Sequence, residues 1–272
     1  MAKSGGTRTR VITGSIILLV LSVCIYLGPV TRILFFYAMI FYGAREMSDA
    51  LNHMGFRTTP WIARALGAAL AALFLLHDSL VFHLAAVVLT VMATLTVGMF
   101  RKSRVKDLFG SLAICFYPVA FYVAFCCLAV QPDEILYPVV GITLLATSFN
   151  DAFAYFCGRW FGRHKLCPSI SPNKTIEGAV SGTVLGTASG VLTWLLLRSF
   201  TPTPLYVYLF ASFFCTLTGQ LGDLCASFIK RQAGIKDFSN LLPGHGGVVD
   251  RMDSFSFAMP TAFFILHLFH VL

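Results

Sequence analysis

Charge is what this chain has least of. Asp, Glu, Lys and Arg make up only 12% of its residues, against roughly 25% in ordinary soluble domains. With 57% hydrophobic residues and a mean hydropathy of +0.78, its solvent is expected to be lipid. Absent too are the glycine patterns of the common nucleotide folds. There is no G-x-x-x-x-G-K-[ST] and no G-x-G-x-x-G, so neither a P-loop nor a Rossmann unit is implied. No gap between apolar runs is long enough for a soluble domain, and there is no low-complexity tail. The eight cysteines show no pairing pattern and fall mostly inside apolar runs, as small packing residues do. Cys157, His164 and Cys167 lack both a fourth ligand and a zinc spacing.

What is present is a series of apolar runs. A membrane span needs about 20 mostly apolar residues. Candidates lie near 11–28, 30–44, 61–77, 79–99, 108–130, 135–157, 177–199, 205–228 and 254–271. This predicts an all-α, polytopic integral membrane protein of about nine transmembrane helices, with a polar active site facing the cytoplasm. The basic residues support that count. With the N-terminus in the cytoplasm, 18 of the 20 Lys and Arg, Lys3 among them, fall on the inner side, and only Arg32 and Arg198 fall outside; the positive-inside rule asks for such an asymmetry. The net charge of +8 is then topology plus attraction to phosphate or anionic lipid, and nucleic acid is not needed as a partner. Leu27, Gly28 and Pro29 make a poor cleavage site, so the first run is expected to be a retained anchor.

The chain changes character near residue 134. Residues 1–134 are apolar runs with short basic connections, whereas 135–272 hold nearly every unusual polar residue, within what is expected to be one integrated membrane domain. Gly178, Gly182, Gly186 and Gly190 recur every fourth residue and line one helical face, where another backbone can approach closely. That face suits packing inside one subunit or the seam of a homodimer. Glu46, Asp49, Asp78, Asp107, Asp133 and Glu134 fall mostly in connections, where a solvated carboxylate is expected. Asp151 and Asp223 lie within apolar runs, where a carboxylate costs at least a few kcal/mol and is paired or bound to a metal. Asp223, Ser227 and Lys230 share a helical face, as do Asp250 and Asp253 if their segment is helical.

Carboxylates suit a hard cation such as magnesium, which takes one or two protein acids and completes its shell with substrate phosphates. Lys and Arg suit phosphate oxygens, and glycine turns let backbone amides approach an anion. "PGHGG" (Pro243 to Gly247) offers such a turn with His245 as a further donor, and "SPNKTIEG" (Ser171 to Gly178) sets Lys174 and Thr175 just before a helix, whose N-terminus favours anions. Together these point to metal-assisted phosphoryl or nucleotidyl transfer at a membrane surface.

From Ser227 to Asp253 the chain runs "SFIKRQAGIKDFSNLLPGHGGVVDRMD". This resembles the signature of the CDP-diacylglycerol synthases, the phosphatidate cytidylyltransferases: S-x-x-K-R, then K-D, P-G-H-G-G and D-R-x-D. "NDAFAYFCGRWFGRHKL", "SPNKTIEGAVSG" and "GQLGDL" resemble other segments of that family, so the likeness covers roughly residues 145–260. Asn173 departs from the family's usual residue, which argues against it as a phosphate contact.

The resemblance implies transfer of CMP from CTP to phosphatidate. It also implies magnesium held by Asp223, Asp250 and Asp253. A second metal ion, potassium among the candidates, stays open. Phosphates would be bound by Lys230, Arg231, Lys236 and Arg251, with His245 a further donor. Ser171, Lys174, Thr175, Gly246 and Gly247 would hold nucleotide or lipid phosphate. Asp237 is either a further ligand or an orienter of Lys236. CTP, phosphatidate and membrane lipids are the implied partners. The compact chain suggests a bacterial plasma membrane, with an endoplasmic reticulum membrane as the other possibility. A CTP-dependent polyprenol or phytol kinase fits the acid and glycine end but not the K-R and K-D positions. An ion-coupled transporter fits the intramembrane acids but not the basic residues around two glycine turns.

Overall fold

The computed structural model describes residues 7–76 and 80–269; Lys3 and Asp78 lie outside them. The described chain is a run of helices: α1 (Thr7–Leu27), α2 (Pro29–His53), α3 (Pro60–Leu76), α4 (Leu80–Phe100), α5 (Val105–Ile114), α6 (Ala120–Ala129), α7 (Asp133–Phe161), α8 (Ile176–Leu197), α9 (Leu205–Gln232) and α10 (Val248–Leu268). α5 and α6 meet across a kink at Cys115–Val119, where Tyr117 takes an extended backbone (φ −140°, ψ 122°) and Pro118 has no N–H to close the regular ladder. The all-helical expectation needs one correction: β1 (Lys165–Cys167) pairs antiparallel with β2 (Ser171–Thr175), a short hairpin between α7 and α8.

Among the described residues, the expected apolar runs are largely helical. Four helical stretches among the described residues are long and apolar enough to cross a membrane: Val105–Ala129, Asp133–Phe161, Ile176–Leu197 and Leu205–Gln232. Shorter apolar stretches lie at Ile12–Leu27 and Val88–Phe100. In lipid a helix satisfies its own backbone polar groups, which is why such runs take this form.

Two compact units share the chain. One comprises residues 1–130 and 229–251, the other 131–228 and 252–272. In the first, α2 is the central element. Ile40, Ala44 and Met47 on it are buried, as are Tyr122 and Phe125 of α6, and Phe36 meets Phe125 edge-on at 5.4 Å. α2 also runs nine residues past the apolar segment that ends at 44. Two acids of this unit are not solvated, contrary to expectation. Asp107 is buried, held by Arg104 at 2.9 and 3.0 Å and by the Arg57 amide at 2.8 Å. Glu46 is the second.

In the other unit α7 and α8 lie against each other along the glycine face. A Cβ on Gly182 would stand 2.7 Å from the Asn150 carbonyl, and one on Gly178 would stand 2.6 Å from that of Ala154. Gly186 and Gly190 face Thr216 of α9 and the Tyr208 carbonyl in the same way. The glycine face is therefore used for packing inside the chain. Gln220 of α9 ties the group together, donating to Asn150 Oδ1 at 2.7 Å and to Thr183 Oγ1 at 2.9 Å.

Candidate active site

Residues 229–253 form the end of α9, a loop and the start of α10. The loop is shaped by its glycines. Gly246 has φ +80°, a left-handed conformation that glycine adopts without strain. It lets Leu242 and Gly246 pair as a β-bridge, with the Leu242 amide donating to the Gly246 carbonyl at 2.9 Å. Gly247 is required for space, because a Cβ there would lie 2.5 Å from both carboxylate oxygens of Glu46.

Asp250 organises this segment from the first turn of α10. It is 5% exposed. One of its oxygens accepts from Lys230 Nζ at 2.7 Å. The other accepts from the amides of Phe238, at 2.8 Å, and Gly247, at 2.9 Å. Lys230 also lies 5.6 Å from the centre of the Phe238 ring. The Gly247 amide, expected to face a phosphate, is turned onto Asp250 in this arrangement. His245 is half-buried, and its Nδ1 is buried without a hydrogen-bond partner. Lys236, Asp237 and Arg251 are exposed, as is Arg231 at the end of α9.

The second unit carries its own pair. Lys174, on β2 of the hairpin, binds Asp223 of α9. Both side chains are a little over a quarter exposed, and Ser227 Oγ lies 3.4 Å from the other Asp223 oxygen. One residue before Asp223, Gly222 meets the backbone of α10 so closely that a Cβ would strike the Asp253 carbonyl. Asp253 Oδ1 accepts from the Ser254 amide at 2.7 Å. Ser171 opens β2. Thr175, expected at the nucleotide, instead caps α8: its Oγ1 accepts from the Gly178 amide at 3.1 Å.

Glu46 is what sequence reasoning missed. It is 4% exposed and lies on the extension of α2. Its Oε1 accepts from Ser239 Oγ at 2.6 Å and the Val248 amide at 2.9 Å, and its Oε2 from the Val249 amide at 2.8 Å. These amides open α10, so Glu46 satisfies two orphan donors of a helix about 200 positions away. Burial pushes its carboxyl above the usual range; the donations from Ser239, Val249 and Val248 oppose this, and the charge of Asp250 adds to it. Charged residues at 45, 46 and 49 mark the end of the apolar run and hide the continuation of the helix.

Among the described residues, no group of three or more His, Cys, Asp and Glu side chains could by itself hold a metal. The donor chemistry nevertheless fits magnesium, which uses only one or two carboxylates and relies on phosphates for the rest. Asp223 and Asp250 each already hold one cationic group.

One unit thus pairs Lys174 with Asp223, and the other pairs Lys230 with Asp250 in the segment of the glycine turn. A family model described as "Cytidylyltransferase family" matches residues 8–269, and the chain belongs to that family. A protein of Staphylococcus saprophyticus named phosphatidate cytidylyltransferase is 32% identical over 256 residues, covering 93% of this chain and 96% of its own. Proteins of the same name from Bacillus subtilis and Aquifex aeolicus are 45% identical over 120 residues (44% of each chain) and 37% over 169 residues (61% of this chain and 60% of the other).

Proposed function

We propose that this chain transfers CMP from CTP to phosphatidate, giving CDP-diacylglycerol and pyrophosphate. The observation that carries this is the match along almost the whole chain to relatives named for that activity. The Lys230–Asp250 pair within the signature segment supports it further. A phosphate oxygen of phosphatidate attacks the α-phosphorus of CTP. A new P–O–P bond forms, the α–β anhydride bond breaks and pyrophosphate leaves. The nucleophile is already an anion, so no strong general base is needed.

Lys230, Arg231, Lys236 and Arg251 bind phosphate oxygens, and His245 donates a further hydrogen bond. Lys174 and Ser171 hold nucleotide or lipid phosphate, with Thr175 fixing the start of α8 behind them. Gly246 and Gly247 shape the turn at which the nucleotide phosphates lie. Asp237 orients Lys236. Asp223, Asp250 and Asp253 would be the residues to hold magnesium, which would supply positive charge to offset that of the triphosphate and the leaving pyrophosphate. With nine spans and a cytoplasmic N-terminus, the loops at 158–176 and 229–253 would both face the cytoplasm of a bacterium, where CTP is available.

The test is purified protein in detergent with α-labelled CTP, magnesium and phosphatidate. Label is expected in the lipid, with pyrophosphate released. Label recovered as CDP, with a polyprenol or phytol phosphorylated, would replace this reading with a kinase.

A further inference from the structure

We infer that Glu46 is a positioning residue of the transfer reaction, clamping the glycine loop and the first turn of α10 in their working arrangement. The inference rests on the cytidylyltransferase reading above and extends the machinery into the N-terminal helices. The hydrogen bonds of its carboxylate described above run to one segment, joining Ser239 at the loop's start to Val248 and Val249 at its end. Between those points lies the whole P-G-H-G-G turn. Asp250 bridges the same span from inside, from Phe238 to Gly247, so the two carboxylates pin one loop at both ends. α1 adds a third hold, with Thr13 Oγ1 donating to the Pro243 carbonyl at 3.1 Å.

The chemistry of the clamp argues against simple helix packing. A buried carboxylate costs several kcal/mol to desolvate, and apolar residues would join α2 to a loop without that cost. A carboxylate does what they cannot: it accepts from three donors at fixed angles. Gly247 shows how closely the fit is set, since its Cα approaches both Glu46 oxygens with no room for a methyl group. Glu46 touches no substrate in this scheme. It acts through Val248 and Val249 on Asp250, one residue further along the same helical turn.

The test uses the full-length protein in detergent, with Glu46→Gln, Glu46→Ala and Ser239→Ala, each with its thermal stability measured. Glutamine keeps the size but turns an amide donor toward a backbone N–H. In Glu46→Gln, kcat per folded molecule is expected to fall about tenfold or more, with the KM for phosphatidate changed less than about twofold. Ser239→Ala, which removes one of the three donors, is expected to fall between Glu46→Gln and the parent. The double variant is expected to lose less than the product of the two single effects, because both act through one network. A second readout does not depend on turnover. In a cysteine-free background, a cysteine at the exposed position Asn240 is expected to react with a thiol reagent several-fold faster once Glu46→Gln is added, as the loop opens locally. Unchanged kcat per folded molecule together with unchanged labelling would overturn the inference. A parent protein inert toward CTP and phosphatidate would overturn the functional reading instead, while the labelling would still decide the clamp.

Discussion

Thr175 reads in the sequence as a neighbour of phosphate, and in the fold it is a helix cap. Its hydroxyl oxygen satisfies the Gly178 amide, one of the four donors that the first turn of a helix leaves open. Thr175→Ala should therefore destabilise the protein by about 0.5–2 kcal/mol and leave CTP affinity per folded molecule close to that of the parent. Thr175→Ser should behave as the parent in both. Thermal denaturation and CTP titration of the two variants check this, and a collapse of CTP affinity in Thr175→Ala without loss of stability would restore it as a ligand contact. The acid at 223 is legible in the sequence because a carboxylate among apolar residues must have a partner. Lys174, the partner of Asp223, lies 49 positions away, and no spacing rule announces a contact of that range. Glu46 was hidden for the converse reason, since a charged residue next to Arg45 and near Asp49 looks solvated until its neighbours are known.

Element positions were the most legible part of the fold, because a lipid solvent leaves the backbone few alternatives to a helix. The ends were less so. α2 continues to His53, since a helix stops where its backbone hydrogen bonds stop and not where its side chains cease to be apolar. The hairpin at 165–175 is too short and too polar to register as strand pattern. The glycine face of α8 left two uses open, and the first of them, packing inside the chain, is seen against α7 and α9. A side chain on that face must push two backbones apart. Gly182→Val should cost about 1–3 kcal/mol, the usual range for overpacking, and should release the Gln220–Asn150 link. Val180→Ala, at a position 59% exposed on the same helix, should leave thermal stability within about 0.5 kcal/mol of the parent. Equal losses in both variants would mean that α8 tolerates separation from α7.

At the scale of the whole chain, the distribution of Lys and Arg carries the topology. Two candidate spans, α8 and α9, separate the loop at 158–176 from that at 229–253, so if both cross, parity would give the loops the same side of the membrane. Single cysteines at the exposed positions Ser169 and Asn240, in a cysteine-free background, should resist a membrane-impermeant thiol reagent in intact cells and react in inverted vesicles. Opposite labelling of the two would break the nine-span arrangement.

The Glu46 clamp bears on how such a chain is made. Its three donors lie 193, 202 and 203 positions downstream. At a synthesis rate of about 5–20 residues per second, Glu46 waits roughly 10–40 s on the ribosome before they exist. During that time Glu46 has no protein partner from its final set, and its carboxylate must stay near water or keep its proton. Only when the start of α10 emerges can the carboxylate be sealed in. Settling of α2 thus waits on the start of α10, and a ribosome that stops before Val248 releases a chain in which Glu46 is still unlatched.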